Sequence, residues 1–351
     1  MGTRVRFARR SGSRQSGARG EGERASGGAV VLLGNPNVGK SVLFGALTGA
    51  YVTVSNYPGT TVEVAKGWLR HGGKARPVVD LPGIHSLAPH SDDEWATLEA
   101  LLESAEATAV LVMDAKNLER GLLLALELAD AGLPFVVSLN MVDEAKARGV
   151  TVNPRVLAEA LGVPVTPTIA IEGTGLEALS ASLEAARPAG VRTVFPAAAE
   201  RAIEEVAALM PPAALAPRAL ACLALLGDDR LLAHLGLTEQ ARSVVRKARA
   251  QAEHDLAEPL GFALTRERLA TAARLAAAAT ASGRGRARLL DRVSPWTTHP
   301  LTGWPILAIV LLLMYLLVGT FGAGTVVDAL ESVFQGSVNP WVTRALEASV
   351  P

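Results

Sequence analysis

Eight residues near the start of the chain, Gly34-Asn35-Pro36-Asn37-Val38-Gly39-Lys40-Ser41, carry the pattern G-x-x-x-x-G-K-[ST]. They lie between an apolar run, AVVLLG, and a helical one, KSVLFGALTGA. A strand before and a helix after is the context that gives this pattern its meaning. The glycines let backbone N–H groups close around a β-phosphate. Lys40 adds a point charge at the β- and γ-phosphates, and the Ser41 hydroxyl is placed for Mg²⁺.

Three further motifs follow in order. Asp80-Leu81-Pro82-Gly83 closes the apolar run RPVVDL. In this D-x-x-G, Asp80 can hold a Mg²⁺-bound water and the Gly83 N–H can sense a γ-phosphate. Between the two motifs lies SNYPGTTVE, with Gly59, Thr60 and Thr61. Thr61 is the candidate switch threonine, a second Mg²⁺ hydroxyl offered only when its loop closes, and Thr60 competes for the role. Asn140-Met141-Val142-Asp143, an N-x-x-D, follows PFVVSLN. Asp143 can accept from the guanine N1–H and exocyclic amine. Adenine has no such donor pair and would leave the carboxylate unpaired. After the last apolar run, TIAIEG places the backbone of Ala170 beside the guanine oxygen. Together these motifs predict a GTP-binding and GTP-hydrolysing switch, with Lys40, Thr61 and Gly83 as its catalytic groups.

Ile84 occupies the position where many GTPases carry a water-orienting Gln. An isoleucine cannot orient water, which predicts slow intrinsic hydrolysis. His85 beside it reads as a solvated loop histidine, since positioning without a general base suffices in this chemistry. His71, His90, His234, His254 and His299 are scattered and show no metal-ligand spacing.

The elements that must position these residues can be read from the patterning. AVVLLG, RPVVDL, TAVLVMDA, PFVVSLN and VPVTPTIA are continuous apolar runs, as in a parallel sheet buried on both faces. Helical patterns separate them: KSVLFGALTGA, SDDEWATLEALLES, LERGLLLALELADAG, PRVLAEALG and LEALSASLEAA. Ser91 and Glu94 form a capping box at the start of the second. This rhythm predicts an α/β, doubly wound, mostly parallel domain over residues 29–188. Residues 1–28 are rich in Arg, Gly and Ser and too poor in apolar groups to offset their ordering entropy, so they read as a disordered basic tail. Residues 189–286 are dominated by Ala, Leu, Arg and Glu without strand alternation and read as a small all-α domain.

Bulk composition narrows the class. Lys plus Arg and Asp plus Glu number 34 each, so no basic excess points to nucleic acid. The single Cys222 excludes an intramolecular disulfide and an all-cysteine metal site, and reads as a small core residue.

The chain resembles the bacterial ferrous iron transport protein B (FeoB) family. The resemblance rests on GNPNVGKSVLFGALTG, NYPGTTVE, DLPGIHSL, MDAKNLERGL and LNMVDEAKARG, in that order, and on DRVSPWTTHPLTGWPILAIVLLLMYLLVG. Met141, where many GTPases have Lys, is typical of that family. The resemblance implies a helical domain that slows GDP release. It also implies K⁺ stimulation with Asn37 as a K⁺ ligand, which would put positive charge where an arginine finger otherwise acts.

Residues 303–327, GWPILAIVLLLMYLLVGTFGAGTVV, carry no charge. As a helix they would reach about 37 Å at 1.5 Å per residue, enough for the ~20 residues a bilayer core needs. Pro305 fits a first helical turn. Trp296 and Trp304 stand at the expected interfaces, and Arg284, Arg286, Arg288 and Arg292 precede the segment. The positive-inside rule then places the nucleotide domain in the cytoplasm, at the inner membrane of a bacterium. The expected order is thus a juxtamembrane linker, 287–302, a transmembrane helix, 303–327, and the start of a membrane-proximal segment, 328–351.

The family implies gating of Fe²⁺ passage by nucleotide state, but one span cannot enclose a pore and offers no Fe²⁺ ligands. The expectation is a fragment, or a half that needs a transporter membrane domain or separately encoded membrane subunit; small iron-transport accessory proteins are further candidate partners. Two other readings stand beside it. One is a GTPase of ribosome or tRNA maturation with a membrane tether; the other is a regulatory GTP-binding protein without transport.

Overall fold

The structure, a computed structural model, describes residues 28–49, 53–56, 63–104, 106–227, 229–282, 300–318 and 327–342. Two compact units divide the chain at Gly283.

The first unit is built on a seven-stranded sheet. Its strands are β1 (Val30–Gly34), β2 (Thr53–Asn56), β3 (Glu63–His71), β4 (Lys74–Asp80), β5 (Thr108–Asp114), β6 (Phe135–Asn140) and β8 (Val165–Pro167). The spatial order is β2-β3-β4-β1-β5-β6-β8. β4, β1, β5, β6 and β8 run parallel, while β2–β3 and β3–β4 are antiparallel. The five apolar runs are the five parallel strands. Two antiparallel strands are an addition: from Lys66 to Arg70, β3 alternates exposed Lys66, Trp68 and Arg70 with buried Gly67 and Leu69, the period of a half-buried strand. It turns into β4 at Gly72-Gly73.

Helices cover both faces. α1 (Lys40–Thr48) and α6 (Leu176–Ser182) lie on one side, where Leu43, Phe44 and Leu179 pack on Val30, Leu32, Val110 and Val112. α2 (Asp92–Glu103) and α3 (Leu118–Ala131) lie on the other, with Leu98, Leu101, Leu122 and Leu126 against Val31, Leu33 and Leu111. The alternate residues of β1 thus feed two separate cores. At the start of α2 only half of the expected capping box forms. Ser91 Oγ accepts from the Glu94 N–H at 3.3 Å, but the Glu94 carboxylate accepts from the backbone N–H groups of His85 and His90 instead of Ser91.

α4 (Val142–Ala147), β7 (Val150–Val152) and α5 (Pro154–Leu161) connect β6 to β8. Beyond the sheet come α7 (Ala197–Ala207), α8 (Pro217–Leu225), α9 (Asp229–His234), α10 (Glu239–Leu256) and α11 (Leu260–Ala279). Phe195, Ile203, Leu220 and Leu264 join the same core cluster as α3. Cys222 is buried there, and burial pushes its thiol up to about 11. The helical segment also contributes a strand: β9 (Thr280–Ser282) pairs antiparallel with β7.

Buried charges join α3 to the helices that follow. Asp130 accepts from Arg218 Nε at 3.3 Å and from an Arg268 Nη at 3.1 Å. Arg218 also reaches both oxygens of Glu200, at 2.7 and 3.0 Å. Both guanidinium groups lie over the Phe195 ring, 5.3 and 5.4 Å from its centroid. Glu127 lies 3.5 Å from Arg268. Burial, only partly countered by Arg268, holds its carboxyl above the ordinary glutamate range.

The second unit contains α12 (Pro300–Met314), continued to Val318 in wider turns, and α13 (Val327–Val333). Trp304, Leu307 and the residues from Ile309 to Val318 are exposed. The helix begins at Pro300, so Pro305 lies inside it and not in its first turn. Among the described residues no helix is long and apolar enough to cross a membrane. The expected span 303–327 extends past Val318 into residues outside those described, as do Trp296, the juxtamembrane arginines and the basic tail.

Candidate nucleotide-binding site

The motif residues meet at one end of the parallel strands, beside β1, where the strand order reverses. That is the position at which open α/β sheets bind ligands. β1 ends at Gly34 and α1 starts at Lys40, so residues 35–39 form the loop between them. Asn37 is exposed and left-handed, φ 64°, a conformation asparagine tolerates. Gly39 is left-handed too, φ 86°, and a Cβ there would collide with Asn140 Nδ2.

Lys40 Nζ is paired with Asp80 Oδ1, and the Ser41 hydroxyl donates to Asp80 Oδ2 at 2.9 Å. β1 and β4 are adjacent, with Leu32 beside Asp80 in register. Strand pairing alone therefore brings the two motifs together. The chain after Asp80 is fixed to the loop by two further bonds. The Ile84 N–H donates to the Gly34 carbonyl at 3.0 Å, and Asn35 Nδ2 donates to the Ile84 carbonyl at 3.0 Å. The Ile84 side chain is buried in the α2–α3 core. Gly83 lies against Pro36, where a Cβ would come within 3.1 Å of the Pro36 backbone. Leu81 is buried and Pro82 half-buried. His85 is exposed, its Nδ1 3.4 Å from an Arg120 nitrogen.

Asn140 joins the second half of the site to the first. It is 3% exposed. Its Nδ2 donates to the Val38 carbonyl at 3.0 Å, and its Oδ1 accepts from the Ala170 N–H at 3.0 Å and from Thr168 Oγ1 at 3.3 Å. One amide thus ties together the phosphate loop, the N-x-x-D turn and the loop of Ala170. The Ala170 N–H is directed at Asn140, and the residue itself begins a short 3₁₀ turn, Ala170–Glu172. Met141 is left-handed, φ 60°, and Val142 and Asp143 follow it in the first turn of α4, with Asp143 exposed. Gly59, Thr60 and Thr61 lie outside the described residues.

Three contributors escape motif reading. Glu94 holds the chain after the D-x-x-G by accepting from two of its N–H groups. Glu127 does the same further on, accepting from the Ser86 hydroxyl at 2.8 Å and the Leu87 N–H at 2.6 Å. Lys116 reaches the N-x-x-D turn, 3.3 Å from Met141 Sδ and 2.6 Å from Glu144. The available signal for Glu127 was an acid inside an otherwise apolar helix run, LLLALELAD.

The donor set suits Mg²⁺ held between protein and nucleotide. Such sites use one or two protein oxygens and leave the rest to phosphates and water, and Ser41 and Asp80 supply a hydroxyl and a carboxylate at one point. Among the described residues no cluster of three His, Cys, Asp or Glu could hold a metal alone.

A doubly wound sheet with this loop, D-x-x-G and N-x-x-D at its switch point defines a P-loop guanine-nucleotide-binding hydrolase domain. The profile described as "Ferrous iron transport protein B" matches residues 28–183, and that of the "FeoB cytosolic helical domain" matches residues 195–280. An NFeoB variant from S. thermophilus, solved with GDP, superposes with a TM-score of 0.65 at 30% identity, covering 72% of this chain and 100% of that one. NFeoB from S. thermophilus bound to GDP·AlF₄⁻ and K⁺ gives a TM-score of 0.63 at 30% identity, covering 71% and 99%. The Fe(2+) transport protein A/FeoB fusion protein of Porphyromonas gingivalis is 47% identical over 116 residues, 33% of this chain and 14% of that relative's length. The chain belongs to the FeoB family, and its first unit comprises the family's cytosolic G domain and helical domain.

Proposed function

We propose that the chain carries the GTP-driven switch of a ferrous iron transporter, and that its nucleotide state gates Fe²⁺ uptake across the inner (cytoplasmic) membrane of a bacterium. The observation that carries the nucleotide reading is the convergence of Lys40 and Ser41 on Asp80, with Asn140 linking that point to the base-reading turn. A cation, a hydroxyl and a carboxylate meet where the β- and γ-phosphates would lie. Lys40 binds those phosphates, Ser41 and Asp80 orient Mg²⁺ with Thr61 or Thr60 as the closing hydroxyl, and Gly83 reports the γ-phosphate through its N–H. Mg²⁺ supplies charge neutralisation at the transferring phosphoryl group. Asp143 reads the guanine edge, with the backbone around Ala170 beside it. Ile84 is buried and pinned by its backbone, which supports slow intrinsic hydrolysis.

K⁺ stimulation belongs to the same reading. The exposed, left-handed Asn37 can offer an oxygen to K⁺ beside the phosphates, and an NFeoB relative was solved with K⁺. The rate of GTP hydrolysis should rise in KCl over NaCl, and Asn37→Ala should remove that difference. Equal rates in the two salts would reject it. For phosphate binding, Lys40→Ala should abolish tight GTP binding; for base reading, Asp143→Asn should shift preference toward xanthosine nucleotide. An Asp143→Asn protein that still prefers GTP over XTP would overturn the assignment.

For the second unit the proposal is a bilayer contact through residues 303–327. Its support is the run of exposed apolar side chains from Trp304 to Val318. The transport body is then a membrane domain or separately encoded membrane subunit, with small iron-transport accessory proteins as further partners.

A further inference from the structure

Met141 poses a physical problem. It stands where many GTPases carry a lysine, and it holds a left-handed backbone, φ 60°, a conformation that a residue with a Cβ adopts only at a cost. Something must hold it there. Its methyl end lies beside the phosphate loop, 3.4 Å from where a Gly39 Cβ would be. Its sulfur is 3.3 Å from Lys116 Nζ, in the loop after β5. The same ammonium donates to Glu144 Oε2 at 2.6 Å. Lys116 is set in place from behind: its backbone N–H donates to Asp114 Oδ1 at 2.8 Å, and Nζ lies 3.8 Å from Asp114 Oδ2. Its side chain is only 11% exposed.

We infer that Lys116 is a positioning and specificity residue of the guanine site, supplying from a neighbouring loop the ammonium that position 141 lacks. Lys116 grips Met141 and Glu144, and Asp143 lies between those two in the chain. Fixing both neighbours fixes the direction of the Asp143 carboxylate, which must meet two donors on the guanine edge at once. Met141 meanwhile couples that turn to Gly39. This assignment rests on the proposal that Asp143 reads the base.

The test is nucleotide affinity, release rate and base preference of the full chain, with GDP, IDP and XDP as probes. IDP lacks the exocyclic amine, so the GDP-over-IDP ratio reports how well Asp143 is aimed. A hydrogen bond to a charged group contributes enough that Lys116→Met should weaken GDP binding about tenfold, mainly through faster release. The GDP-over-IDP ratio should fall with it, while general loosening of the site would weaken both nucleotides equally. Lys116→Met/Met141→Lys should restore binding, because the ammonium returns from the other side. Met141→Lys alone should weaken it, since two ammonium groups then face each other. Glu144→Gln, on a half-exposed side chain, guards against misfolding and should give a smaller loss in the same direction. Unchanged affinity and unchanged ratio in Lys116→Met would overturn the role of Lys116. If Asp143→Asn does not turn preference toward XDP, base reading and this inference fall together. If it does and Lys116→Met has no effect, only the inference falls.

Discussion

At the scale of single residues, the site depends on groups with no freedom to change. Gly39 combines a left-handed backbone with contact against Asn140 Nδ2. Gly39→Ala therefore meets both a conformational penalty and a collision with the amide that joins three loops. GDP affinity should fall by at least about tenfold, and the melting temperature by several degrees, on the ~1–3 kcal/mol that such local strain costs. Isothermal titration and thermal denaturation would measure the two. The motif positions themselves were legible because each is a fixed spacing with a stated chemical purpose. Their bonding was not: nothing in the sequence shows that Asn140 takes the Ala170 N–H, or that Lys116 lies over Met141. Those contacts join residues 30 and 25 positions apart, and only the sheet order brings them together.

At the scale of elements, α3 joins the sheet to the helices that follow it. Its outer face carries Glu127 and Asp130 into a protein-lined space with Arg268 and Arg218. Removing one partner of a buried charge network leaves the others uncompensated, so Arg268→Met should cost about 3–5 kcal/mol in denaturant unfolding. The pH dependence has a definite sign. Glu127 is held above its ordinary value of 4.5, so its protonated form is the one the fold favours. Its contribution is complete below that ordinary value and is lost as pH rises through its folded value. Glu127→Gln cannot titrate and should flatten the stability curve just above pH 4.5; an unchanged slope would remove Glu127 as its source.

The five parallel strands and their helices were legible because burial on both faces writes continuous apolar runs. β3 was harder to read. Its exposed face carries Lys66, Trp68 and Arg70, which break the run. β9 is three residues with no pattern of its own, and only its pairing with β7 marks it as a strand.

At the scale of the whole molecule, two units with different chemistry share one chain. The first closes its own cores, while the described helix α12 exposes apolar side chains along its length. Vesicle flotation should separate the two roles: the full chain should float with liposomes, and a chain ending at Ser282 should remain below while still binding GDP. Equal flotation of both would remove the bilayer contact from residues 303–327. The β7–β9 ribbon has a mechanical consequence at this scale. Val150 pairs with Ser282, and Val152 with Thr280. β7 begins three residues after α4, the helix whose first turn carries Asp143. Any tug on the chain beyond Ser282 therefore loads a three-residue ribbon before it reaches the packed core. A ribbon so short peels at small force, and its other half is anchored just behind the N-x-x-D turn. The exit of the chain and the proposed guanine-reading turn share one slender fixing point, a place where strain from outside would be felt first.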